Sequence, residues 1–502
     1  MFGLEISSVP IILPVLEARL HAEFRDMQWI MNAYTIACTS VLMATGTLAD
    51  RYGRRLVFAV TVLVFGVASL LCGLASSTAT LIGARCLQGA AGGAMFICCI
   101  AILSHQFPEG RARARAFAIW GVIAGIGLGF GPVIGGAILA LANWHWVFLV
   151  HAPLALAGLA LIAVGVAESR DPQAMQQPLD VRGIVSLTVA VLGLTAFITQ
   201  GGSLGWSTPA ALGLLAVAGL AVIGFIHAER SHPTPMFDFS VFRIRDFSGA
   251  ILGCIGMNCS YWPFMIYLPL YFTVGLGCDI ATTSWALLAY TLPFLLMPPV
   301  AQWLLLKTEA RFVIPAGLFT IGLGFLLMLL GTQLAGATTW AVLPGALVAG
   351  IGLGLTTTPA TSLTTSAVPA NRAGMASGID VSARLVTLAL NIAVMGLILV
   401  AGIHTSLRTS FGASIDAEAL LRLSERLAGG DFAGTTAAFA ALSRNGTVEQ
   451  TLRAAAVQGS GWVMMYGALA ACLTAIASWI VLSRSTPAAQ SSGRGASCST
   501  SR

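Results

Sequence analysis

"GTLADRYGRR", Gly46 to Arg55, sits between two apolar runs at about 29–49 and 56–75. Its two glycines allow a tight turn, Asp50 can face a helix N-terminus, and Arg51, Arg54 and Arg55 hold the link on one side of a membrane. Two apolar helices joined by so short and charged a link run antiparallel, as in a membrane-spanning hairpin. An ordinary basic loop satisfies the same physics.

The rest of the chain has the same character. Of 502 residues, 57% are hydrophobic and only 9% charged, with mean hydropathy +0.86. Soluble domains carry about 25% charged residues, so an all-α polytopic membrane protein is expected. Fourteen apolar runs approach the ~20 residues of a spanning helix. They lie at about 1–16, 29–49, 56–75, 79–102, 116–140, 146–166, 183–200, 208–227, 247–273, 281–305, 312–333, 340–366, 377–402 and 460–483. The ten cysteines are scattered and show neither CxxC nor metal-ligand spacing, so no metal site and no disulfide framework is expected.

Charge sets the orientation. With both termini cytoplasmic, eighteen Lys and Arg fall in inner segments and seven in outer ones, and Arg85 lies inside a span. The net charge of +6 thus belongs to a lipid bilayer boundary and does not call for nucleic acid. A repeat supports duplication: P-x-x-R-A occurs as Pro108/Arg111/Ala112 and as Pro369/Arg372/Ala373, eight runs later. Two six-helix halves, 1–166 and 247–483, with two inserted helices at 183–228, account for that offset. A long exterior loop follows at 403–459, and 484–502 reads as a disordered cytoplasmic tail.

The link resembles motif A of the major facilitator superfamily, G-x-L-x-D-x-x-G-R-R, through Gly46, Leu48, Asp50, Gly53, Arg54 and Arg55. The resemblance implies a cytoplasmic latch between the halves. "LIGARCLQGAAGG", Leu81 to Gly93, is similar to motif B, with Arg85, Gln88 and Gly89. An arginine inside a span faces the bundle interior and takes a partner; a structural ion pair is the plainer reading. "GVIAGIGLGFGPVIGG" carries two glycine stripes, Gly121/Gly125/Gly129 and Gly127/Gly131/Gly135, that admit a neighbouring backbone. Pro132 cannot donate to Leu128, so a bend is expected there. With Gly136 the stretch resembles motif C, which marks antiporters.

"LEISSVPIILP" resembles the first-helix signature L-D-x-T-x-V-N-x-A-L-P of the fourteen-helix drug:proton antiporters, with Glu5, Ser7 and Pro10 replacing Asp, Thr and Asn. "WHWVFLVHAPL" resembles W-R-W-I-F-x-I-N-x-P, with His145 and His151 in place of Arg and Asn. Glu5 lies eleven steps before Leu16, about 16 Å along a helix and near the membrane midplane. The half-helix leading in from the cytoplasm is missing, so a start upstream of Met1 is expected. The resemblance implies that Glu5, with Arg85, loads and releases a proton as access alternates. A fixed Glu5–Arg85 pair is the alternative.

Asp380 and Arg384 form an i,i+4 pair that can simply stabilise a helix end. The second-half counterpart of motif A has lost its Gly-Asp pattern, and the runs at 247–366 contain no acid, which argues against a broad range of dications. In the outer loop, Leu420, Leu423 and Leu427 before Gly429–Gly430 predict a short amphipathic helix. Lys307, the one lysine, is not preceded by a phosphate-binding glycine loop, so an ATP-driven pump is excluded on this chain. "GGSLG", Gly201 to Gly205, lacks the strand-to-helix setting of a nucleophile elbow, so no catalytic residue is assigned.

The expectation is a proton-coupled multidrug exporter of lipophilic, cationic small molecules in a bacterial cytoplasmic membrane, multi-pass, without cofactor and functional as a monomer. The alternatives are a dedicated exporter of one metabolite or self-made antibiotic and, more distantly, a non-transporting receptor.

Overall fold

The computed structural model describes residues 1–20, 24–107, 110–170, 180–231, 239–333, 338–369, 372–411, 416–442 and 448–483. The expected tail, 484–502, lies outside them, as does Pro108 of the repeat. All regular structure among these residues is helical. In lipid every backbone N–H and C=O must be satisfied within the chain, and an apolar helix does so by itself.

The first half comprises α1 (Phe2–Leu20), α2 (Phe24–Tyr52), α3 (Arg54–Gly73), α4 (Thr78–Gln106), the broken pair α5 (Gly110–Gly129) and α6 (Gly131–Leu141), and the pair α7 (His145–Leu149) and α8 (His151–Gly165). The inserted pair is α9 (Val181–Leu204) and α10 (Pro209–Ser231). In the second half come α11 (Arg245–Cys259) and α12 (Tyr261–Leu270), continued by a π-helical turn, then α13 (Ile280–Lys307), α14 (Ala310–Gln333) and α15 (Thr339–Ser366). The described residues end with α16 (Ala373–Phe411), α17 (Ala417–Ala428), α18 (Phe432–Leu442) and α19 (Val448–Ser483).

All fourteen apolar runs are helical, and among the described residues eleven helices are long and apolar enough to cross a membrane. α3 shows why. It exposes Leu56, Val60, Leu63, Val67 and Leu70, spaced by three or four, and buries Val62, Phe65, Ser69 and Cys72 on the other side. A water-facing helix puts polar residues on its exposed side; this one is apolar there too and is built to face lipid.

Packing relies on close backbone approach. A Cβ on Gly345 would lie 2.4 Å from Met328 N, and one on Gly352 2.5 Å from Ile321 N, so α14 and α15 touch backbone to backbone. Between the halves, α5 packs on α13, and α2 and α4 pack on α16. An apolar seam of Cys38, Ile97 and Ile100 against Val381 and Leu385 joins them. The inserted α9 pairs with α10 and rests on α2 and α16, where Thr188 donates to Ser40 O at 3.2 Å.

The 403–459 segment departs from a long loop. α16 continues to Phe411 and α19 begins at Val448, and α17 and α18 occupy most of the remainder. Apolarity reports only where a helix meets lipid, so helical ends reaching past it read as loop.

Candidate functional site

Glu5 points from the first turn of α1 into the interior, where it is 0% exposed, and meets Arg85 of α4, 1% exposed. Arg85 Nη1 donates to Glu5 Oε1 at 2.5 Å and to Gln88 Oε1 at 2.7 Å, and its Nε donates to Ile30 O at 3.1 Å. The Tyr34 ring covers the guanidinium at 4.4 Å. Gln88 Nε2 passes the network to Ser69 Oγ at 2.8 Å, which donates to Phe65 O. Four helices thus converge on one ion pair. Gly89, next to Gln88, permits this: a Cβ there would lie 2.1 Å from Tyr34 O, so α2 and α4 meet only through glycine.

His151, at the start of α8, lies on the other side of the carboxylate. Its Nδ1 is 3.3 Å from Glu5 Oε2, and the ring is fully buried against the edge of Phe65. His145, the other histidine of the stretch, turns away to Gly73 O at 2.7 Å and takes no part. A buried ion pair contributes little net stability compared with apolar packing, and intramembrane charges mark sites of work. Chemically, this arrangement offers a carboxylate with one oxygen committed to a cation and the other beside an imidazole.

The motif C glycines serve two partners. Gly121, Gly125 and Gly129 face α13: Cβ atoms would lie 2.8 Å from Pro298 Cβ, 2.8 Å from Leu295 Cα and 3.3 Å from Thr291 O. Thr291 Oγ1 donates to Gly129 O at 2.9 Å, a hydrogen bond across the halves. Gly127, Gly131 and Gly135 face Leu4, Ser7 and Ser8 of α1. The helix breaks at Phe130, between α5 and α6, where Pro132 leaves Leu128 O without its donor. Gly136 faces Ser284 at 3.8 Å. Motif C therefore seats the helix that carries Glu5 and the helix of the opposite half at once.

In motif A, Gly46 is buried within α2, and Gly53 turns the chain into α3 at φ +112°, a conformation that favours glycine. Arg54 N donates to Ser169 O at 3.1 Å, Arg55 N to Glu168 Oε1 at 3.2 Å, and the Arg55 guanidinium to Ala163 O at 2.7 Å. These contacts tie the link to the end of α8 and the segment after it, in its own half. Arg51 lies 5.6 Å from the ring of Tyr52, and the side chain of Asp50 is outside the described residues. An arginine that does cross between halves is Arg113 of α5, which donates to Thr365 Oγ1 of α15.

Asp380 and Arg384 do more than brace a turn. Arg384 donates to Asp380 Oδ1 at 3.1 Å, to Thr361 Oγ1 at 2.7 Å and to Cys254 Sγ at 2.9 Å, and the Cys254 thiol donates to Asp380 Oδ1 at 2.9 Å. The pair binds α16 to α11 and α15. A narrow crevice between the halves, lined by Gly129, Thr291, Tyr261, Trp262, Met265 and Phe294, is too tight for a water-sized sphere.

Residues 1–390 match the family model described as Major Facilitator Superfamily. The chain belongs to the major facilitator superfamily. It is a multi-pass membrane transporter. It is 30% identical to the multidrug resistance protein Stp of Mycobacterium tuberculosis over 81% of this chain and 75% of that protein. It is also 30% identical to the tetracenomycin C resistance and export protein of Streptomyces glaucescens, over 80% and 73%. With the multidrug efflux pump LfrA of Mycolicibacterium smegmatis it shares 27% identity over 93% and 90%. Among solved structures, the fold is similar to the proton:xylose symporter XylE (TM-score 0.58, 13% identity, 95% of this chain and 92% of that one). The human organic anion transporter MFSD10 is also similar (TM-score 0.55, 16% identity, 85% and 95%).

Proposed function

We propose that this transporter is a proton-coupled antiporter that exports lipophilic, cationic small molecules by alternating access, with Glu5 as the coupling carboxylate and Arg85 as its counter-charge. The buried Glu5–Arg85 pair, 2.5 Å apart at the meeting of α1, α2 and α4, carries this reading. A carboxylate committed to a cation in one state can bind a proton when the cation moves away in the other. Motif C supports it, because its two glycine stripes pack at once on α13 of the opposite half and on α1, which carries Glu5.

The proposed topology has fourteen spans, with both termini on the cytoplasmic side of a bacterial inner membrane. The α2–α3 link acts there as part of the cytoplasmic latch, alongside the Arg113–Thr365 contact. Energy comes from the proton gradient, with no cofactor and no catalysis, and one copy suffices. Relatives named both as multidrug pumps and as export proteins for one compound support a second reading, a dedicated exporter.

Ethidium uptake into energised inverted membrane vesicles tests the proposal. Gln at position 5 keeps an acceptor oxygen for Arg85, so the Glu5→Gln protein is expected to insert normally and to lose gradient-driven uptake. Uptake equal to the parent's in Glu5→Gln vesicles would overturn the role of Glu5.

A further inference from the structure

We propose that His151 is the proton relay of the Glu5 site, accepting a proton at Nε2 and handing the one on Nδ1 to the carboxylate. This rests on the proton-coupled reading above.

Geometry assigns each nitrogen. Nδ1 lies 3.3 Å from Glu5 Oε2 and 3.3 Å from Phe148 O. The hydrogen bond to Phe148 O places the hydrogen on Nδ1 and the lone pair on Nε2, and Glu5 Oε2 lies buried beside Nδ1 without a hydrogen bond of its own. Nε2 is buried and has no hydrogen-bond partner. Most buried side-chain nitrogens have a partner; this one lies within a polar site, with the Met1 backbone near the ring, and makes no hydrogen bond of ordinary geometry. Glu5 Oε2, the oxygen not taken by Arg85, is the one the imidazole faces.

The proton balance closes. A proton binds Nε2 and forms an imidazolium. The Nδ1 proton then moves to Glu5 Oε2, leaving a neutral carboxyl and a neutral imidazole protonated on Nε2. One proton has entered, and release runs the exchange backwards. The charged and titratable groups around the ring are Glu5 of α1, Arg85 of α4, Tyr34 of α2 and the amino group of Met1, while α3 presents Phe65 and, beside Gln88, Cys72. The ring is fully buried on the Arg85 side of the bundle, so the imidazolium is a passing state, and the carboxyl holds the proton in the state in which Arg85 has moved away. The resembling pattern has Asn at this position, which cannot carry a proton. This chain therefore has a relay where that pattern has only an amide.

The test is the pH profile of gradient-driven ethidium uptake in inverted vesicles for the parent, Glu5→Gln, His151→Asn and His151→Gln. A free imidazole takes a proton near pH ~6.5 and a free carboxylate only near ~4.3. Without the relay, uptake near neutral pH is expected to fall about tenfold or more. It should recover when the proton-supplying side is acidified by about one to two units. A merely structural histidine would lower uptake at every pH and leave the midpoint in place. An unmoved midpoint in His151→Asn and His151→Gln, with Glu5→Gln inactive, overturns the relay and leaves the coupling reading standing. Uptake by the parent that ignores the gradient overturns both. If neither variant inserts, imidazole nitrogen NMR of the unaltered, histidine-labelled protein in bilayers decides. A buried imidazole that exchanges its nitrogen proton between about pH 5 and 8 supports the relay, and one fixed in a single tautomer throughout overturns it.

Discussion

Replacing Arg85 with Met keeps the length and apolar stem of the side chain and removes the guanidinium. Four interactions disappear: the pair with Glu5, the hydrogen bonds to Gln88 and Ile30 O, and the contact with the Tyr34 ring. The dominant loss is the first, because Glu5 is 0% exposed and its charge is left uncompensated. Breaking a buried pair from one side costs about 3–5 kcal/mol. Adding Glu5→Gln to Arg85→Met removes the stranded charge and leaves a few unpaired neutral groups, at about 1 kcal/mol each. The double variant is therefore expected to recover about 2–3 kcal/mol of the single variant's loss, a coupling of the size seen for contacting residues. Reversible unfolding in mixed micelles measures both proteins on one scale. An Arg85→Met protein as stable as the parent, or a double variant no better than Arg85→Met, would refute the view that one buried charge balances the other.

Gly125→Ala puts a Cβ 2.8 Å from Leu295 Cα, some 0.7 Å inside the ordinary ~3.5 Å contact. At about 1–3 kcal/mol for overpacking, the state with α5 against α13 should lose about 5- to 150-fold in population, visible as a changed distance distribution between spin labels at His105 and Ser366. Gly53→Ala forces a side chain into φ +112°, so a loss of about 1–2 kcal/mol in unfolding free energy is expected. Glu168→Ala in that background clears the 2.5 Å contact with Glu168 Oε1 but leaves the backbone strain, so it should restore only part. Changing buried Leu420, Leu423 and Leu427 together to Ser should release α17 from α16 and make the 412–447 region cleavable by added protease, while the melting of the bundle changes little.

The sequence made the Glu5–Arg85 meeting legible across eighty positions because an intramembrane charge has few ways to be satisfied, so two of opposite sign in neighbouring spans are drawn together. The two glycine stripes were legible for a similar reason: fourfold spacing leaves one flat face each. Which helix fills each face was not, since any backbone fits a glycine groove; the structure assigns α13 and α1. His151 escaped because one histidine in an apolar run carries no period, and its place beside Glu5 depends on how α8 packs on α3. Arg113 looked like any basic loop residue, and its reach to Thr365 exists only once the halves are docked. α17 showed itself through the spacing of three leucines. The helical extensions to Phe411 and from Val448 did not, being too polar for a lipid-based reading.

Central to the whole account is that proton and substrate movements are coupled through Glu5. The most direct measurement imposes an ethidium gradient across proteoliposomes of the purified protein, with no pH gradient at the start, and records internal pH with a trapped dye. Parent protein is expected to move protons against the direction of ethidium, building a pH difference that collapses on adding a protonophore, while Glu5→Gln leaves internal pH flat. Ethidium movement without any pH change in the parent, or an equal pH change in Glu5→Gln, would contradict it.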